Sequence, residues 1–120
     1  MEAHKVPLKL DQGATYDKFW IWKTGPKGVE APVDLVGCEA RAQIRPELES
    51  ATVLLELTTV NGRIVLGEEP GKIRIVITDE DTAALTFDSA VYDLYIDFPN
   101  GTSVRRMAGS VSLTKAVTRD

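Results

Sequence analysis

Asp79, Glu80 and Asp81, in the stretch DEDT (Asp79 to Thr82), form the only run of three consecutive acidic residues in the chain. A cation site needs carboxylate oxygens that converge on one point, and neighbours on a helix point in different directions. The spacing and central glycine of an EF-hand loop are also missing. Negative charge at the start of a helix, facing the positive end of its dipole, accounts for the same residues. Other chemical candidates are few. Cys38 is the single cysteine and His4 the single histidine, which excludes an intramolecular disulfide and a cysteine-based zinc site. Beside Gly37, at the entry to a strand, Cys38 reads as a small buried hydrophobe. A reactive thiol needs an adjacent base or cation; Arg41 would supply one, and Glu39 opposes it. Acid–base and nucleophilic mechanisms need paired titratable groups in a cleft. The carboxylates here fall largely at loop positions or on alternating solvent faces. The expectation is a non-enzymatic protein with no catalytic residue, no metal site and no cofactor.

Side chains suited to contacts are more prominent. Arg41, Gln43 and Arg45 alternate with Ala40, Ala42 and Ile44 in CEARAQIR. Such a row is either a solvated sheet face with cross-strand carboxylate partners such as Glu56 or a polar surface that meets an acidic neighbour. Arg105 and Arg106 pose the same question. Alternation sends Arg106 to the side of Val104 and Ala108, so either the register slips there or that arginine is paired at a sheet edge. FWIW places Phe19 and Ile21 on one face of a strand and Trp20 and Trp22 on the other. A sandwich strand buries one face only. Either this strand is covered twice within the fold, or one face anchors an interface, as Trp often does. The interface candidates are Phe19, Trp20, Trp22, Arg41, Gln43, Arg45 and Arg105.

These residues need strands to position them, and strands are what the rest of the chain supplies. PLKL sets Leu8 and Leu10 opposite Lys9, and KIRIVIT sets Ile73, Ile75 and Ile77 on one face. In AVYDLYIDF, Tyr92, Leu94, Ile96 and Phe98 oppose Asp93, Tyr95 and Asp97. Period-two alternation of this kind marks strands with one buried face. Asn61-Gly62, between two apolar runs, predicts a tight hairpin. EEPG (Glu68 to Gly71) and PNG (Pro99 to Gly101) predict turns. TGPKGVEAPVDLVG (Thr24 to Gly37), with three Gly and two Pro, predicts a long turn or loop. Thr78 is a predicted N-cap for one short helix near residues 79–85. The stretch TSVRRMAGSVSLTKAV is expected as two short strands or one strand kinked at Gly109.

The predicted fold class is all-β: an immunoglobulin-like antiparallel β-sandwich of about eight strands with that one short helix. Length bounds it to one domain over 1–120, with residues 1–12 as a flexible or edge-strand arm and 116–120 as a frayed tail. Hydrophobic residues are 43% and charged residues 27% of the chain, an ordinary globular balance. The formal charge of −4, from 14 basic and 18 acidic residues, argues against a general nucleic-acid partner. MEAHKVPLKLDQG holds no apolar segment of the signal-peptide kind. No run approaches the roughly 18 apolar residues of a membrane span. Synthesis in the cytosol, with no membrane partner, is expected.

In order and spacing, PVDLVGCEARAQIR, LLELTTVNGRIVLG, GKIRIVITDEDTAAL and VYDLYIDFPNGTSVRRMAGSVSLTKAVTR carry a resemblance that spans Ala14 to Arg119. The chain resembles a family of small proteins encoded among bacteriophage structural genes, and is similar to the N-terminal β-domain of phage baseplate and tail-fibre proteins. The family pattern runs from an Asp-Leu-Thr-Gly turn into a strand rich in Ala, Arg and Gln, then through an Asn-Gly hairpin. A Thr- or Ser-capped short helix precedes a Tyr-Asp-Leu strand, and an Asn-Gly turn leads to a last strand of the G-x-V-x-V kind. This chain departs from it with Val36 where threonine is common and Cys38 where an aromatic is common. The resemblance implies a virion protein of the tail, neck or baseplate, assembled in the host cytoplasm, that works through contacts with copies of itself and with other virion proteins. It implies no chemistry. The Asp34–Gly37 corner would then cap one sheet through an Asx turn and launch the Cys38–Arg45 strand. A different reading of the same residues is a carbohydrate- or receptor-binding sandwich. There Trp20 or Trp22 would stack on sugar rings, and Asp93 or Asp97 would accept hydroxyl protons.

Overall fold

The computed structural model describes residues 3–118. Alternating apolar residues become strands that bury one face. β6 (Glu39–Arg45) buries Ala40, Ala42 and Ile44, and β9 (Lys72–Ile77) buries Ile73, Ile75 and Ile77. β10 (Ser89–Asp97) buries Ala90, Tyr92, Leu94 and Ile96. The other strands are β1 (His4–Lys5), β2 (Leu8–Asp11), β3 (Tyr16–Ile21), β4 (Lys23–Thr24), β5 (Ala31–Pro32), β7 (Leu55–Thr58), β8 (Ile64–Leu66) and β11 (Ser103–Thr114). Setting aside β1, β4 and β5, which have two residues each, leaves eight of the eleven described strands, as the sequence predicts.

Two sheets make the sandwich. One runs β1-β11-β10-β6-β7, with β2 also on β11, and the other runs β3-β9-β8. The order matches an immunoglobulin-type sandwich, with β11, β10 and β6 in the places of strands G, F and C and β3, β9 and β8 in those of B, E and D. One departure from an all-antiparallel fold is the N-terminal segment: β1 and β2 both run parallel to β11. Fully buried Leu8, Leu10, Ile44, Leu57, Leu94, Ile96 and Val111 from one sheet meet Ile64, Ile73, Ile75 and Ile77 from the other. Each such side chain contributes about 1.5–3 kcal/mol by leaving water.

The Asn61-Gly62 turn is not a hairpin. β7 pairs with β6 in one sheet and β8 with β9 in the other, so this turn carries the chain between sheets. Local turn chemistry is the same in both cases, since Gly62 takes a positive φ of 80°. Asn61 Oδ1 accepts from the N–H groups of Thr58 and Arg63, and Asn61 Nδ2 donates to Glu56 O. The predicted long loop at 24–37 also contains structure, because β4 and β5 pair as a two-stranded ribbon. Beyond it, the Val36 N–H donates to Asp34 Oδ1 as an Asx turn requires.

β11 is one continuous strand, and its register slips where Arg106 made the alternation fail. Leu94 faces Met107 while Tyr95 faces Arg105, so Arg106 is the extra residue of a β-bulge. At the helix α1 (Asp79–Ala83), Thr78 caps the N-terminus by accepting from the Asp81 N–H. Thr82, fully buried, donates to Ala14 O and accepts from the Gly13 N–H. The expected frayed tail begins with Ala116, whose N–H donates to Gln12 Oε1; its last two residues lie outside the described range.

The N-terminal segment crosses β11 at Gly109, where an added Cβ would sit 2.7 Å from Val6 O. The buried Tyr92 hydroxyl donates to that same carbonyl at 2.6 Å. Tyr92→Phe leaves the Val6 oxygen without this donor and is expected to cost about 1–3 kcal/mol in urea denaturation. Gly109→Ala, which forces backbone apart, is expected to cost at least as much.

Candidate functional site

β6 lies between β10 and β7, so its outward residues sit within reach of side chains from both neighbours. Arg41 Nε and Nη2 donate to the two carboxylate oxygens of Asp97 at 2.9 and 3.3 Å, and the guanidinium stacks on the Tyr95 ring at 4.6 Å. The Ser103 hydroxyl donates to Asp97 Oδ1 at 2.6 Å. Arg45 Nε and Nη2 both donate to Gln43 Oε1, and Arg45 Nη1 donates to Ser50 O. Gln43 Nε2 reaches Glu56 at 3.4 Å, and Arg105 Nε donates to Asp93 at 3.2 Å. Four of the seven sequence candidates (Arg41, Gln43, Arg45 and Arg105) therefore share the outer face of the six-stranded sheet. Their cross-strand partners are Asp97 and Asp93 for Arg41 and Arg105, while Glu56 takes the Gln43 amide.

Two shallow depressions flank this row. One, of about 370 Å³, lies between Arg45, Asp93 and Arg105 beneath the exposed Leu48; the other, of about 280 Å³, lies between Arg41, Glu56 and Tyr95. The arginines of this face lie among carboxylates from three strands, Glu39 and Glu56 beside Asp93 and Asp97. The Asp97 carboxyl is held below its ordinary value, first by the Arg41 hydrogen bond and then by that of Ser103. Asp81 is lowered by Arg63, and Asp17 by Arg74. Burial, then the Asp34 carboxylate, pushes the Cys38 thiol up, the opposite of an activated nucleophile. The DEDT carboxylates diverge, with Asp81 paired to Arg63 at 3.0 Å. Among the described residues no group of three or more His, Cys, Asp or Glu side chains is placed to hold a metal ion.

FWIW is divided. Phe19 is 54% exposed on the other sheet, with the Lys72 ammonium over its ring at 4.5 Å, and Trp20 is half-buried against the core. Trp22 is only 4% exposed, edge-on to Phe98 at 6.0 Å and covered by the Arg106 guanidinium at 5.0 Å. As an interface candidate Trp22 is therefore corrected. It has the inward parity of Tyr16 and Trp20, and its backbone is held on both sides, by Gly71 O and the Val33 N–H. Trp20 on β3 and the carboxylates of Asp93 and Asp97 on β10 belong to different sheets, and Trp22 is buried, so the geometry does not bring together the set required for sugar stacking. Tyr95 is the contact residue that sequence reasoning passed over. Its outward parity was readable, but its seat under Arg41 depends on the β6–β10 register.

A scan against models of protein families returns no match, and a search of curated proteins returns none either.

Because folding depresses the Asp97 carboxyl, its stabilisation is complete above the unfolded value and is lost as pH falls through the folded one. On lowering pH from about 7 to about 2.5, Asp97→Asn is expected to lose less of its urea midpoint than wild type. Trp22→Ala is expected to cost about 3–5 kcal/mol. Phe19→Ser should stay within about 0.5 kcal/mol in the same titration.

Proposed function

We propose that this chain is a non-enzymatic structural component of a bacteriophage virion, in the tail, neck or baseplate, that acts through assembly contacts with itself and with other virion proteins. The observation that carries the reading is the ordered outer face of the six-stranded sheet. Arg41 and Arg105 are each fixed by a carboxylate, Arg45 by Gln43 and a backbone carbonyl, and Tyr95 lies beneath Arg41. Tyr and Arg are the residue types that anchor protein contacts. Holding their side chains in place before binding lowers the entropy lost on docking. The motif order from Ala14 to Arg119 supplies the virion context.

The test is location. Particles purified from lysates of cells that carry the gene are expected to contain the chain at a fixed ratio to a tail protein by quantitative mass spectrometry. Recovery only in the particle-free fraction would overturn the proposal.

A further inference from the structure

The four outer strands of the two sheets end differently. On β7 the Thr59 N–H donates to Ala40 O, so by alternation the groups of Glu56 and Thr58 point away from the sheet. Two of these groups are already taken: Glu56 O accepts from Asn61 and Arg63 side chains, and the Thr58 N–H donates to Asn61. β8 has only three residues. The β1–β2 edge is interrupted by Pro7, which has no N–H. β3 has none of these three devices. The Trp22 N–H donates to Gly71 O and the Val76 N–H to Arg63 O. The backbone groups of Tyr16, Lys18 and Trp20 thus face β9, and those of Asp17, Phe19 and Ile21 face outward. The place beside β3 is that of strand A in an immunoglobulin sandwich. Here the N-terminal segment lies on β11 instead.

Lys18 makes this edge selective. It shares the inward parity of Tyr16, Trp20 and Trp22, yet its side chain is exposed, with Nζ 5.8 Å from the Tyr16 ring. An inward-facing charge on an edge strand blocks general strand addition, because pairing would bury an unmatched ammonium. A second copy of β3 matches it. We infer that β3 is a self-recognition edge on which two copies pair antiparallel, with Phe19 opposite Phe19 of the second copy, Asp17 opposite Ile21, and Lys18 opposite Trp20. In that register every outward N–H and C=O of Asp17, Phe19 and Ile21 finds a partner. Each Lys18 ammonium meets an indole face, the strongest aromatic partner for a cation. Sliding by two residues sets Lys18 against Lys18 or Trp20 against Trp20 and leaves ladder groups unpaired. The exposed Phe19 rings come together across the two-fold on the outer face.

This inference rests on the assembly reading above and names the contact between copies. One strand pair buries less than a standard interface, so covalent capture suits it better than mass in dilute solution. In a Cys38→Ser background, Phe19→Cys is expected to form dimer with a short bis-maleimide at least tenfold faster than Val60→Cys, a site 86% exposed on the far turn. Cα atoms of a hydrogen-bonded antiparallel pair lie about 5.5 Å apart. Adding Lys18→Glu, which sets a carboxylate against the indole, is expected to abolish the difference. Equal rates for Phe19→Cys and Val60→Cys, or no effect of Lys18→Glu, would overturn the register. Particle incorporation would still stand on its own measurement.

Discussion

β11 is bonded on both edges for most of its length, antiparallel to β10 and parallel to β1 and β2, and it changes which parity faces the core partway along. Val104 packs inward on the even parity, and Met107, Val111 and Leu113 pack inward on the odd. The single extra residue at Arg106 reconciles the two. Without it, a strict period of two would send either those three side chains or Arg105 to the wrong face. The surplus arginine lies half-buried across Trp22, where loss of water pushes its pKa down. With the bulge in place, Arg105 faces Asp93 and Gly109 stands where Val6 and Pro7 cross. The outward placement of Arg105 and the inward placement of Met107, Val111 and Leu113 both follow from that one insertion.

The two outer faces of the sandwich differ in how their charge is held. On the six-stranded sheet, Arg41 of β6 lies over Tyr95 and pairs with Asp97 of β10, and Arg105 of β11 pairs with Asp93 of β10. On the three-stranded sheet, Arg74 joins Asp17 and Glu68, and Lys72 joins Glu68 and Glu69 while lying over Phe19. Exposed ion pairs of this kind add little stability, at most about 1 kcal/mol each. Their effect is to fix the direction of long side chains, which gives each face a defined relief of charge and ring.

Much of the sandwich was legible because alternation in β2, β6, β9 and β10 is a direct image of one-sided burial. The Thr78 cap and the Asp34 corner were legible too, since a short side chain bonding its own backbone is a local event. Asn61-Gly62 misled because a glycine at positive φ reports a reversal of the chain without saying which sheet receives it. The ribbon at 23–32 was hidden by glycine and proline, which mark turns but also flank short strands. FWIW stayed open because parity separates two faces and does not say which one is covered. The partners of Arg41 and Arg105 lay beyond reach for a related reason: they depend on register between strands more than 50 residues apart in one case and on a bulge in the other.

Asn61 has a consequence beyond its own turn. By occupying the outward Thr58 N–H and, together with Arg63, the outward Glu56 carbonyl, it interrupts the row of groups that a strand added to the β7 edge of the larger sheet would need. An open strand edge carries the hazard of runaway polymerisation at high local concentration. Here one amide side chain, with one guanidinium beside it, blunts that edge from within the turn that follows the strand.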